Sequence, residues 1–270
     1  MFRFLIILFL CLANYAAAQK LLVKSGATAI ENGYEYKVTN LEPVPITVYL
    51  DFKLRNLHAD VDYGKPFVVP AMTADYKLLT LKNIRQDSYG YDASASYVFG
   101  DQRMDRVDRD YLYHLPYKRS VAYRVSQGNN GRSTHRGKNA IDFSMPIGTP
   151  VHAARSGIVV QVKQDGSIGC ARSKCLEYGN YIRILHEDCT IAEYTHLKVN
   201  GSVVQKGDHV EQDQHIGYSG NTGWTTGPHL HFTVYQPRKG KSPQSIPVKF
   251  VVGRNQVTSN LQENRYYRKP

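Results

Sequence analysis

The run "GPHLHF" at residues 227–232 sets two imidazoles one residue apart between apolar neighbours. On a β-strand, side chains two positions apart leave the same face, so His229 and His231 stand together while Leu230 and Phe232 point away. A catalytic zinc ion takes three protein ligands from His, Asp, Glu or Cys and keeps a fourth position for water. Further donors lie upstream, at His135 in "THRG" and Asp142 in "NAIDF". In AIDF the alternation sends Ile141 and Phe143 to a core and leaves Asp142 on the open face. From the residues alone, which of these four hold a metal stays open.

The elements that must position these residues read as short strands. "SGIVVQVKQDG", "GNYIRILHEDC", "IAEYTHL" and "HIGYSGNTGW" are Val, Ile and Tyr runs joined by glycine-rich turns, with little room for a long helix. The first half is also β-rich but carries no catalytic constellation. In "ITVYLDFKLR", Ile46, Val48, Leu50, Phe52 and Leu54 share one face and polar residues share the other, as in a half-buried antiparallel strand. "YDASASYVF" repeats the pattern from Tyr91 to Phe99, and turn material divides the strands. The reading is mainly β, with a sandwich-like domain over 19–105, a polar linker at 106–115, a second domain over 116–250 and a C-terminal extension at 251–270.

Composition narrows the setting. Residues 1–18 carry one arginine, an apolar run and Ala16-Ala17-Ala18, the pattern of a cleaved secretory signal, and no other stretch is apolar enough to cross a bilayer. The remainder, about 250 residues, suffices for one large or two modest domains. Formal charge is +11, or +10 once Arg3 leaves with the signal. The basic residues are scattered, which suits an acidic envelope polymer or surface better than nucleic acid. Cys170, Cys175 and Cys189 remain after cleavage. Export permits a bridge closing the small loop "ARSK" between Cys170 and Cys175, with one cysteine left over, although the pairing stays open. Their spacing fits no usual zinc pattern.

His135 and Asp142, followed by "FSMPIGTPV" at 143–151, "GIVV" at 157–160, "NYIRILH" at 180–186, "YTHL" at 194–197, "GDHV" at 207–210, "SGNTG" at 219–223 and "GPHLHF", resemble the LytM-type, lysostaphin-like M23 zinc endopeptidases. The likeness covers about residues 115–235, with the motifs in the family's order. It implies an antiparallel sheet with an open groove and one Zn2+ per chain, held by His135, Asp142 and His231. It further implies that His229 acts as general base and that His196 hydrogen-bonds the oxygen of the tetrahedral intermediate. The implied reaction is hydrolysis of cross-links or stem peptides of bacterial peptidoglycan, outside the cytoplasm and without stable membrane insertion once the signal is cut. Oligomeric state is not legible.

The assignment agrees with elementary chemistry. Zinc can lower the pKa of a bound water to about 7, and a neutral imidazole can take that proton and pass it to the leaving amine. The interval from His135 to Asp142 is longer than the family's shorter pattern, and "RGKN" can loop out between them. Cys189 occupies a turn where glycine would be easier. His186 reads as structural, and His114, His152, His209 and His215 as surface or packing residues. Ser219 in "GYSGN" lacks the last glycine of a nucleophile elbow. Trp224 and Tyr218 read equally as groove lining or as loop packing. Two rivals to a wall peptidase are a non-catalytic wall-binding or regulatory protein on the same fold and an exported peptidase of glycine-rich protein.

Overall fold

A computed structural model describes residues 21–103, 107–240 and 242–270. The leader read over 1–18 lies outside them. Among the described residues no helix is long and apolar enough to cross a membrane; the one helical turn beside the strands is a short 3-10 segment, Ser173–Tyr178.

The N-terminal half is a sandwich of two sheets. Val23–Ile30, Gly33–Asn40, Thr73–Asn83 and Leu57–Ala59 form the first, and Phe67–Val69, Ile46–Arg55 and Gly90–Phe99 the second. The alternation in Ile46–Arg55 holds: Ile46, Val48, Leu50 and Phe52 are buried while Asp51, Lys53 and Arg55 are exposed. Thr47 is the exception on the polar face, buried because its hydroxyl donates to the Gly100 carbonyl at 2.6 Å.

The second half is built on a large sheet whose central order is Gly157–Lys163, Tyr181–Leu185, Ile191–Thr195, Leu230–Gln236, Ala140–Ser144 and Ala122–Gln127, all antiparallel. One face packs Ile141, Phe143, Ile182, Ile184, Tyr194, Leu230, Phe232 and Val234 into a core. At one end of the sheet, Val160, Leu185 and Ile191 join the core of the N-terminal sandwich instead. The buried Glu42 carboxylate strengthens this junction by pairing with Lys206 at 2.6 Å.

Two segments are more tightly built than their composition foretells. Within 106–115, Leu112–His114 is a strand lying parallel to Lys249–Gly253, and Tyr113 and Leu115 are buried. Such a short strand shows no local period of its own, because it is held by a partner more than a hundred residues away. Within 251–270, Tyr266–Arg268 extends the large sheet beside Ala122–Gln127, and Leu261 enters the core.

Candidate metal centre

Register brings the site together. Asp142 lies opposite His231 on the neighbouring strand, and Thr195 lies opposite His231 on its other side. Alternation works as expected: Ile141 and Phe143, like Leu230 and Phe232, enter the core, which sends Asp142 and His231 to the opposite face. His135 arrives from the preceding loop, fully buried. Its Nδ1–H donates to the Gly128 carbonyl at 3.0 Å, which fixes the tautomer and leaves the Nε2 lone pair facing inward. Nε2 is 3.2 Å from Asp142 Oδ1 and 3.1 Å from His231 Nδ1, and the last two atoms are 2.9 Å apart.

Three acceptor atoms thus form a small triangle. The ligand atoms of tetrahedral zinc, with bonds of 2.0–2.1 Å, lie about 3.3 Å from one another, so the donor set fits one such cation and leaves a coordination position toward the cleft. Burial would raise the Asp142 carboxyl, but the adjacent His135 and His231 rings outweigh it and hold the group well below the ordinary carboxylate range. The His231 ring feels the opposite balance: burial lowers it, while Asp142 and then Glu193 raise it above its usual value. Gln127 completes the shell, its Nε2 donating to Asp142 Oδ2 at 3.0 Å.

The remaining histidines flank the triangle. The His196 and His229 rings lie 4.5 Å apart. Each is oriented by a backbone carbonyl: His196 Nδ1–H donates to Thr222 at 2.7 Å and His229 Nδ1–H to Gly227 at 2.8 Å. A carbonyl can only accept, so both neutral rings carry their proton on Nδ1 and keep a lone pair on Nε2. Burial, then the nearby His229 and His231, push His196 down to about 3. Nε2 of His229 lies 3.7 Å from Asp142 Oδ1. His196 itself has a positive φ of 66° immediately after its strand, which turns the ring back over the sheet.

An open cleft of about 400 Å3 runs past this group, lined by Ser126, Gln127, Asp142, Thr226, Pro228 and His229, with Arg132 and Glu263 on its walls. Trp224 is partly exposed on the neighbouring loop, and Tyr218 packs against His215 at 4.8 Å between ring centres. The histidines read as structural have such surroundings: His186 donates from Nδ1 to the Ser156 carbonyl, His114 pairs with Asp213, His152 bonds the Asp213 carbonyl, and His209 is exposed. Ser219 is buried and spends its hydroxyl on the Pro146 carbonyl. Cys189 adopts a φ of 61°, the left-handed turn that its position foretold. Gln127 and the carbonyls of Gly128, Thr222 and Gly227 were invisible beforehand, since backbone acceptors leave no residue-type signal and Gln127 enters only through strand register.

A mainly antiparallel sheet carrying a His–Asp–His triangle on its open face defines a metallopeptidase-like domain, and residues 136–245 match the model of peptidase family M23. The matched segment is a peptidase M23 domain. An uncharacterized metalloprotease of Buchnera aphidicola subsp. Baizongia pistaciae is 36% identical over 132 residues, 49% of this chain and 30% of that protein. Peptidoglycan DD-endopeptidase ShyA of Vibrio cholerae is 42% identical over 94 residues, 35% of this chain and 19% of that protein. The chain thus spans less than a third of either curated relative. Among solved structures, the catalytic domain of the antimicrobial peptidase lysostaphin from Staphylococcus simulans is 32% identical, covering 48% of this chain and 88% of that one, with a TM-score of 0.34.

Proposed function

We propose that this chain is an exported zinc endopeptidase that hydrolyses peptide bonds in the cross-links or stem peptides of bacterial peptidoglycan. The observation that carries the reading is the triangle of His135, Asp142 and His231 beside two imidazoles whose Nε2 lone pairs are left free by backbone carbonyls. The substrate class is taken from relatives named as peptidoglycan endopeptidases, ShyA and ShyC of Vibrio cholerae. A basic exported chain suits an anionic wall.

In this reading His135, Asp142 and His231 hold the ion, with Gln127 orienting the carboxylate. When bound there, zinc supplies Lewis acidity and a water acidified to near neutral pH. His229 takes a proton at Nε2 and returns it to the leaving amine, help that is typically worth about 10² to 10⁴ in rate. Its ring needs no reorientation, because Gly227 already fixes the tautomer. His196 steadies the substrate carbonyl oxygen as it gains charge. Its Nδ1–H is committed to Thr222, so Nε2 of the neutral ring carries a lone pair and has to take up a proton before it can donate to that oxygen.

The test is digestion of purified peptidoglycan by the chain without its leader, scoring new α-amino groups against new reducing ends. New amines that disappear on chelation and in His231→Ala are expected, as is a His229→Ala protein that retains its metal and loses turnover. Absence of new amines from protein with stoichiometric metal refutes the substrate. Normal turnover by His229→Ala refutes the base.

A further inference from the structure

We propose that the bridged loop at 165–179, closed by Cys170–Cys175, is the buttress that aims the two proton-handling imidazoles, so that removing the bridge lowers turnover without releasing the metal; this rests on the function proposed above.

His196 and His229 come from different segments, yet both are oriented by carbonyls of one irregular loop, Thr222 and Gly227. That loop contains only the two-residue strand Gly223–Trp224, which pairs in parallel with Gly169–Cys170 of the bridged loop. The backbone bonds are Gly223 N–H to the Ile168 carbonyl at 2.7 Å and Thr225 N–H to the Cys170 carbonyl at 3.0 Å. From Thr225 the support passes directly to the base. Its Oγ1 accepts the Gly227 N–H at 3.2 Å and lies 2.8 Å from the Gly227 carbonyl that holds His229. The route from Cys170 to His229 is therefore a short chain of hydrogen bonds through one threonine.

The two loops meet backbone to backbone. A Cβ on Gly169 would come within 1.8 Å of the Asn221 carbonyl oxygen, and one on Gly223 within 2.6 Å of Gly179 Cα. Gly223 also has a φ of 83°, a conformation that penalises any side chain. Such contact transmits small displacements, since no flexible side chain lies between the loops to absorb them.

Asn180 anchors the base of the buttress through two buried hydrogen bonds to Gly166, and the bridge constrains its outer part. Residues 171–174 are exposed, Ile168 and Leu176 are about half exposed, and the loop's regular structure is the two-residue strand and the Ser173–Tyr178 turn. A segment that buries so little apolar surface needs another constraint against its own conformational entropy, and a covalent link five residues apart supplies it. The metal triangle is independent of this support. His135 hangs on Gly128, and Asp142 and His231 sit on adjacent central strands held by their own ladder.

The experiment compares the leaderless chain with its Cys170→Ser/Cys175→Ser double variant, using Cys189→Ser as the thiol control. The readouts are metal per chain, kcat and KM on peptidoglycan, and the nitrogen NMR signatures of the His196 and His229 tautomers. A 1 Å misplacement of a reacting group costs about 100-fold. The double variant should accordingly show kcat reduced by about 10- to 100-fold, KM changed by less than about twofold, full metal occupancy, and loss of the fixed Nδ1–H signature on both rings. Unchanged kcat with unchanged tautomers overturns the proposal, as does loss of metal in parallel with turnover. If the double variant does not fold, Thr225→Val with the bridge intact carries the same expectation for kcat and for the His229 tautomer, and unchanged values there overturn it. A parent chain that releases no amines refutes the proposed function, and the tautomer spectra still decide the buttress.

Discussion

His186 gives the sharpest stability prediction. It is almost completely buried after the strand Tyr181–Leu185, donates Nδ1–H to the Ser156 carbonyl at 2.7 Å, and leaves Nε2 without a hydrogen-bond partner. Burial, then the neighbouring Arg155 guanidinium, push this ring down to about 4 from its ordinary 6.5. The folded protein therefore refuses a proton that the unfolded chain accepts. Above pH 6.5 neither state binds it and the ring is neutral to stability. As pH falls below 6.5 only the unfolded state gains the proton, so stability drops until the folded ring also titrates near 4. Integrating that window gives a loss of roughly 2.5 kcal/mol between pH 7 and pH 4.5. Carboxylates also titrate in this range, so the measurement is a comparison: urea unfolding of the parent and of His186→Gln at both pH values. Glutamine can donate to Ser156 but cannot ionise. Whatever its offset at pH 7, the variant should gain roughly 2.5 kcal/mol on the parent by pH 4.5, about a 1 M relative shift in urea midpoint. A gap that stays constant with pH refutes the argument.

Other changes test separate parts of the molecule. Gln127→Ala removes the hydrogen bond that orients Asp142 and should weaken metal affinity about 10- to 100-fold, measured by competition with a chromophoric chelator. Lys206→Ala leaves the buried Glu42 carboxylate without its cation and should destabilise the chain by about 2 kcal/mol, less than for a fully buried pair because Lys206 is partly exposed; chemical denaturation measures it. Phe232→Ala empties a fully packed position against Tyr194 and Phe250 and should cost about 3–5 kcal/mol, with a matching fall in melting temperature.

Local patterns were legible because they depend on the chain's own period. Alternation in "AIDF" and "PHLHF" assigned Ile141, Phe143, Leu230 and Phe232 to the core and Asp142 and His231 to the opposite face, as the structure has them. Alternation in "ITVYLDFKLR" worked equally well for the first sheet pair. Leu112–His114 escaped the same reading, because it is only three residues long and its parallel partner Lys249–Gly253 is distant in sequence. The pairing of Cys170 with Cys175 was open until the loop was folded, with Cys189 standing apart beside Asp101.

By itself the sequence determined which residue types could bind a metal, which face of each strand would carry them, and the family whose motif order they follow. Tertiary structure decided the rest. Strand register set His231 between Asp142 and Thr195, and a loop from the start of the second half supplied His135. Carbonyls of Gly128, Thr222 and Gly227 chose the proton position on three imidazoles. Every residue carries a carbonyl, so where one points is a property of the folded backbone rather than of residue type.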